Sequence, residues 1–331
     1  MNKIINYPNK NTKLIIKKDY SKYYLNNLDN SKKHLIITDN ILYSFYEDLL
    51  NSKDSITFIM QSGDQNKSFE NYLKIINILN ENSFTRSDEI IAFGGGVVTD
   101  LSLFVAGSYQ RGMDITLIPT SLLAMVDASI GGKCGINYNG YKNQIGMFYF
   151  PSQIIIDESL LNTLDKDEFY NGFSEIIKCA LIKDKKMFEE IESNNFVLED
   201  LINRAITIKL SVIKQDIYDM SLRKLLNFGH TYGHIIESDS SFSLKHGHAV
   251  AIGMCKEAQN SLYYERIVNL LSKYFDLNYE IEQENIYKYL LKDKKASNSQ
   301  IDVVELKDIG NALVVTKSIE EVINEYLWKK H

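Results

Sequence analysis

Asp88-Glu-Ile-Ile-Ala-Phe-Gly94-Gly-Gly96-Val-Val-Thr-Asp100 is the stretch whose reading decides the fold. The run from Asp88 to Phe93 has the apolar, β-rich character of a strand, and Val97 onward takes up helical spacing. Three glycines join them. Glycine at a strand-to-helix turn lets another group approach the backbone closely, and the helix that follows offers unpaired N–H groups and partial positive charge. Those are the physical requirements of a nucleotide phosphate site. Gly-Gly-Gly is not the usual G-x-G-x-x-G spacing, and a tight turn explains it equally well.

Outward from this stretch, HLIITD (34–39) and SITFIM (55–60) are further strand-like runs, and DITLI (114–118) is another. A helical run from Ile41 and a second over about 68–82 separate them. TKLIIK (12–17) reads as an edge strand. Strands alternating with helices predict a parallel sheet with right-handed crossovers, a Rossmann-like α/β domain. Asp39 and Asp100 are candidates for a ribose hydroxyl, although Asp at a strand end is commonly a turn or cap residue. Asp127 to Asn143, DASIGGKCGINYNGYKN, is rich in Gly, Asn and Lys and reads as a functional loop, with Lys133, Lys142 and Asn143 as phosphate contacts.

Beyond about residue 160 the pattern turns helical, over 166–190, 197–216, 220–238, 246–265, 267–275 and 284–292, with a hairpin at 301–306 and 311–316. The expected domains are therefore 1–160 and 161–331, with chemistry in a cleft between them. In the helical half, four of the six histidines fall between His230 and His248, in HTYGHIIESDSSFSLKHGH. Asn227–Glu237 reads as a helix that presents His230 and His234 on one face, while His246 and His248 open the next helical run. Neutral imidazole is the commonest ligand of a zinc-like metal, and a catalytic site takes three protein ligands. Spacing alone does not choose between the two pairs. Glu175 lies among Phe173, Ile176, Ile177, Ala180 and Leu181, beside Lys178, so it reads as a partly buried carboxylate that requires a metal or a cation. Lys209, Arg223, Asn227 and one of Lys294 and Lys295 are further polar groups for the cleft.

At 331 residues, with 44% hydrophobic and 24% charged composition, the chain is long for one core and globular in character. A net charge of −6 offers no general attraction to nucleic acid or to an anionic membrane, so an anionic substrate requires a local cationic pocket. Three widely spaced cysteines suit a reducing compartment, and neither a signal-like apolar core nor an apolar run of about 18 residues occurs. A soluble cytoplasmic protein is expected.

GGGVVTDLSLFVAGSYQRG from Gly94, IPTSLLAMVDASIGGKCGIN from Ile118, YKNQIGMFYFP from Tyr141, FSEIIKCALI from Phe173, LRKLLNFGHTYGHIIE from Leu222 and HGHAVAIGM from His246 together resemble the 3-dehydroquinate synthase family of the shikimate pathway. The resemblance runs from about residue 35 to about 295. It implies an NAD-binding Rossmann-like domain followed by an all-α metal-binding domain, in a homodimer. Carried onto this chain, it implies Glu175, His230 and His246 as ligands of one divalent metal, Zn2+ or Co2+, with His234 facing the substrate. It implies Asp127, Lys133, Asn143, Lys178, Lys209, Arg223 and Asn227 as substrate contacts, and Arg111 reaching the neighbouring subunit's site. The implied NAD contacts are Asp39, Asp64, Lys67, Gly95, Gly96, Asp100, Thr120, Ser121, Lys142 and Thr163. Three positions depart from the pattern: Asp64 where glutamate is common, Ser121 for a frequent threonine, and His248 where the family usually has glutamate, which implies altered surroundings for the metal.

The implied reaction converts a sugar phosphate, 3-deoxy-D-arabino-heptulosonate 7-phosphate, into 3-dehydroquinate and phosphate, on the route to chorismate and the aromatic amino acids. It is a lyase reaction with no net redox. Lys209 and Arg223 would bind the carboxylate, and Lys133, Asn143, Lys178, Asn227, His234 and a partner's Arg111 would surround the phosphate. Rival readings are another sugar-phosphate cyclase, a metal-dependent polyol dehydrogenase that releases NADH, and a non-catalytic protein whose metal staples helices.

Overall fold

The structure is a computed structural model. It describes residues 2–51, 55–241, 243–279 and 300–327, with Ile281, Asn285, Ile286, Lys288 and Leu290. The chain divides into two compact units, residues 1–169 and 170–331. That division falls later than the compositional boundary at 160/161. The segment just after 157 is still tied to the first unit: buried Asp157 accepts from the amide and hydroxyl of Ser21 at 2.9 and 2.6 Å, and Thr163 Oγ1 lies 3.2 Å from the Tyr46 hydroxyl.

In the first unit the strands are β1 (Asn2–Tyr7), β2 (Lys10–Ile16), β3 (His34–Asp39), β4 (Ser55–Met60), β5 (Glu89–Gly94), β6 (Asp114–Pro119), β7 (Lys133–Tyr138), β8 (Tyr141–Phe148) and β9 (Gln153–Ile156). Seven of them form one sheet in the order β1-β2-β9-β6-β5-β3-β4, parallel throughout except for the β1–β2 pair. Its helices are α1 (Tyr20–Leu25), α2 (Asn40–Leu50), α3 (Phe69–Glu81) and α4 (Gly96–Ser108). Leu35, Ile36 and Ile37 of β3 and Ile90 to Phe93 of β5 are buried in succession, as strands covered on both faces require. β2 is an inner strand, not the expected edge: Leu14, Ile15 and Ile16 are all buried, and β1 takes the edge.

The segment 127–143 is not one long loop. From Lys133 it is strand β7 of a hairpin with β8, where Gly135 faces Gly146 and Tyr138 faces Tyr141. Asn139 and Gly140 form its turn with φ of 49° and 79°. An Asn-Gly pair at positive φ is a strong two-residue hairpin signal, and the loop reading overlooked it.

The second unit is helical apart from the expected hairpin, β10 (Gln300–Asp308) with β11 (Asn311–Ser318). Its helices are α5 (Lys166–Lys183), in which the unit boundary falls, α6 (Lys185–Glu192), α7 (Leu198–Ile213), α8 (His230–Asp239), α9 (His246–Glu257) and α10 (Tyr264–Leu271), followed by a last helix, Ile319–Leu327. The expected helix 166–190 is two, because Asp184 accepts from Met187 N at 3.0 Å and starts α6 as its cap. The expected helix over Asn227–Glu237 begins only at His230: Gly229 stands before it at φ 78°, and Asn227 belongs to a short 3₁₀ turn, Leu222–Asn227. The run at 246–265 ends its first helix at Glu257. Most of the helix expected at 284–292 lies outside the described residues, as do Lys294 and Lys295.

α8 and α9 pack backbone to backbone. A Cβ on Gly253 would lie 1.9 Å from the Gly229 carbonyl oxygen, and one on Gly247 would lie 2.0 Å from that of Asn171 in α5. Glycine at these positions is what lets α5, α8 and α9 come this close. No helix among the described residues is long and apolar enough to cross a membrane.

Candidate active site

Within the helical unit, α5, α8 and α9 carry Glu175, His230 and His246 to one point. Glu175 is 2% exposed, with Oε1 lying 3.6 Å from His230 Nε2 and 3.8 Å from His246 Nε2. The three ligand atoms lie within 4.8 Å of one another. The two carboxylate oxygens have different surroundings. Oε2 forms an ion pair with Lys178, whose side chain is equally buried, whereas Oε1 is buried with no hydrogen-bond partner among the described residues. A buried acceptor without a partner is costly, and a cation held by this oxygen and two imidazoles removes the cost. The donor set therefore fits a divalent metal of the zinc class.

Both rings are oriented from behind. His230 Nδ1 lies 3.2 Å from the Phe228 carbonyl, and His246 Nδ1 lies 3.4 Å from Glu237 Oε2. A proton on each Nδ1 leaves each Nε2 lone pair facing Glu175. Burial, then the nearby Lys178 ammonium, pushes the His230 imidazole well below its ordinary value, which favours the neutral ring that a metal ligand requires. Glu257, near the end of α9, accepts from Gly229 N at 2.7 Å and Tyr232 N at 3.2 Å, capping α8 where Gly229 has no side chain to do so. Its burial pushes the carboxyl up to about 8. The reading of the sequence missed both Glu237 and Glu257. The only local signal was an acidic residue one helical turn from His234.

His234 is exposed, with its ring 5.5 Å from that of His230 and 6.2 Å from that of His246. Lys209 and Arg223 are buried. Asp216 sets the Arg223 loop by accepting from Met220 N, Ser221 N and Arg223 N at 2.9, 2.7 and 3.0 Å. The Arg223 guanidinium donates to the Ile217 carbonyl at 2.7 Å. His248 packs on Phe275 at 5.8 Å between ring centroids and engages the Asp276 carbonyl through Nε2. It is not part of the Glu175 cluster, whose two rings are backed by Phe228 and Glu237.

In the α/β unit, Gly94 ends β5, Gly95 is the N-cap of α4 and Gly96 is its first residue. A Cβ on Gly94 would meet Val98 at 2.5 Å, so that glycine serves internal packing. Gly95 has room: its nearest neighbour would be Ser121 Oγ at 3.4 Å. α4 has no side-chain cap, and its first amides fit an anionic dinucleotide phosphate. Thr120 N closes the turn on the Gly94 carbonyl at 3.0 Å. Asp39 Oδ1 accepts from Ile41 N and Leu42 N, both at 3.0 Å, so this residue caps α2 whatever else it binds.

Several expected contacts of this unit form one chain of polar groups. Lys67 Nζ lies 3.0 Å from Asp100 Oδ2 and 2.5 Å from Asn143 Oδ1. Lys142 Nζ lies 3.9 Å from Asp64 Oδ2. Burial raises the Asp100 carboxyl, which Lys67 opposes and the charges of Asp127 and Asp64 reinforce. Lys133 is exposed at the start of β7, and Arg111 is exposed with φ 66°.

A Gly-turn α/β unit and a helical unit with a Glu-His-His cation site define a class, that of dinucleotide- and metal-using enzymes. Residues 57–171 match the family model for the 3-dehydroquinate synthase N-terminal region, and residues 172–296 match that for its C-terminal region. The chain is 39% identical over 319 residues to a 3-dehydroquinate synthase of Dictyoglomus thermophilum, covering 91% of this chain and 89% of that one. It is 38% identical over 337 residues to one of Helicobacter pylori strain G27, covering 96% and 98%. The chain belongs to the 3-dehydroquinate synthase family, whose members are phosphate-eliminating lyases that use NAD and a metal. Among solved structures, 2-epi-5-epi-valiolone synthase from Streptomyces hygroscopicus, with NAD+ and Zn2+ bound, has a TM-score of 0.82 at 25% identity over 95% of both chains. A 2-deoxy-scyllo-inosose synthase complexed with carbaglucose-6-phosphate, NAD+ and Co2+ shares the fold, with a TM-score of 0.84 at 23% identity over 98% of this chain and 100% of that one.

Proposed function

We propose that this chain converts 3-deoxy-D-arabino-heptulosonate 7-phosphate into 3-dehydroquinate and inorganic phosphate, as a homodimer in the cytoplasm. The observation that carries the reading is Glu175 Oε1, buried without a hydrogen-bond partner among the described residues and facing two imidazole nitrogens. Glu175, His230 and His246 hold the divalent metal, Zn2+ or Co2+. When bound, NAD would supply a reversible hydride acceptor and the metal a Lewis acid, so that the substrate's C5 could be oxidised transiently and its C6 proton made acidic. Phosphate then leaves by elimination; reduction, ring opening and an intramolecular aldol closure follow.

The chain's own groups bind and orient. Lys209 and Arg223 pair with the carboxylate, and Arg223 is suited to this because Asp216 holds its loop by three backbone amides. Lys133, Asn143, Lys178, Asn227 and His234 serve the phosphate, together with the partner's Arg111. Lys133 and His234 are assigned proton-handling roles. Gly95, Gly96, Thr120, Ser121 and Thr163, with Asp39, Asp64, Lys67, Asp100 and Lys142, serve the dinucleotide. Cys134, Cys179 and Cys255 are buried and form no disulfide, in keeping with a reducing compartment.

The test is to incubate the purified chain with substrate, NAD and Zn2+ while following inorganic phosphate and NADH absorbance together. Phosphate release with dehydroquinate and no net NADH is the expected result. Sustained NADH would mark a dehydrogenase, and NAD binding without phosphate release would remove the reading.

A further inference from the structure

The polar chain of the α/β unit has a centre that none of the expected contacts includes. Asn137, in β7, makes four hydrogen bonds with three different residues. Its amide Nδ2 donates both to the Asp64 carbonyl and to Asp64 Oδ2, each at 3.0 Å. Its Oδ1 accepts from the backbone N–H of Asn143 at 2.9 Å. Its own N–H donates to the Lys67 carbonyl at 2.8 Å, beside a parallel bridge to Ser68. Asn143 sits at φ 52°, in the left-handed region, so its backbone needs such a hold to keep its side chain on Lys67 Nζ.

We propose that Asn137 is a positioning residue that couples the dinucleotide side of the site to the phosphate side; the inference rests on the functional reading above. On that reading Asp64 and Lys67 serve the dinucleotide and Asn143 the phosphate, and Asn137 touches all three. Only a side chain with a donor and an acceptor on one short stem does both jobs. Aspartate keeps the acceptor toward Asn143 but turns an oxygen toward the Asp64 carboxylate, so N137D breaks one arm and N137A breaks both.

The experiment measures NAD dissociation constants, substrate KM at saturating NAD, kcat and Tm for the wild-type chain, N137D, N137S and N137A. N137D should bind NAD about tenfold more weakly while its KM stays within about twofold of wild type. N137A should weaken NAD binding and also raise KM by about tenfold. N137S, with a hydroxyl that retains part of the donor and acceptor pattern, should fall between them and decides the case where N137A does not fold. Unchanged NAD binding and KM in soluble N137D and N137S, with only Tm lowered, would overturn the inference and leave Asn137 a scaffold residue. A wild-type chain that binds no NAD would instead remove the functional reading, and the inference with it.

Discussion

Glu237 Oε2 lies 3.4 Å from His246 Nδ1, while the opposite nitrogen of the same ring faces Glu175 Oε1 at 3.8 Å. One imidazole thus stands between two buried carboxylates. The other histidine of the cluster, His230, is backed instead by a neutral group, the Phe228 carbonyl at 3.2 Å.

A carboxylate behind a ligating imidazole fixes its tautomer and raises its basicity. E237Q keeps an acceptor but removes the charge, and E237A removes both. Metal affinity, read by chelator competition or by the visible spectrum of the Co2+ form, should fall about tenfold in E237Q and toward 100-fold in E237A. Equal affinity in all three proteins would show that Glu237 serves only packing.

His234 also lies near the cluster, and it forms a second possible cation group with Glu237 and His246. If it serves the substrate's phosphate, H234A should slow phosphate release about 100-fold while metal affinity stays within about threefold. A metal affinity that falls as steeply as turnover would place His234 among the ligands instead.

The meeting of Glu175, His230 and His246 depends on close helix packing. A Cβ at Gly253 would lie 1.9 Å from the Gly229 carbonyl oxygen, and neither backbone has a flexible end to yield. G253A should therefore destabilise the helical unit by about 3 kcal/mol and weaken metal binding by forcing α8 from α9. Calorimetry with and without Zn2+ checks this, and a wild-type Tm in G253A would refute it.

Asp216 accepts three backbone amides, which outweigh burial and bring its carboxyl down to about 2. Because this folded value lies below the ordinary 3.8, the stabilisation is present above pH 3.8 and is lost as pH falls through about 2. D216N presents an NH2 to amides that need an acceptor. It should lower Tm by a few degrees at pH 7, a difference from wild type that shrinks between pH 4 and 2. Substrate KM should rise with it, since the same loop carries Arg223. A Tm difference independent of pH would contradict this assignment.

Much was legible along the chain because it is encoded within a few residues. The apolar run at Asp88–Phe93 and the glycines after it specify a strand, a turn and a helix start; the gathering of four histidines announces cation chemistry; Asp308-Ile-Gly-Asn311 marks a hairpin. Local signals also misled. Asn227–Glu237 has helical periodicity, but Gly229 at φ 78° breaks it, and the polar segment after Asp127 hides a hairpin whose Asn-Gly turn was the clue.

The sequence by itself determined the alternation of strands and helices, the residue types available for chemistry and the family to which they belong. Only the tertiary structure decided how they meet. His230 and His234, one turn apart, are the natural local pair, yet the buried oxygen of Glu175 faces His230 and His246. That depends on Gly247 and Gly253 allowing α9 against α5 and α8, a close approach between segments distant in the chain. The physical reason is the same for Asn137, Asp64 and Lys67: spacing along a helix or strand is set by backbone geometry, whereas a hydrogen bond across about seventy residues exists only once two elements have packed.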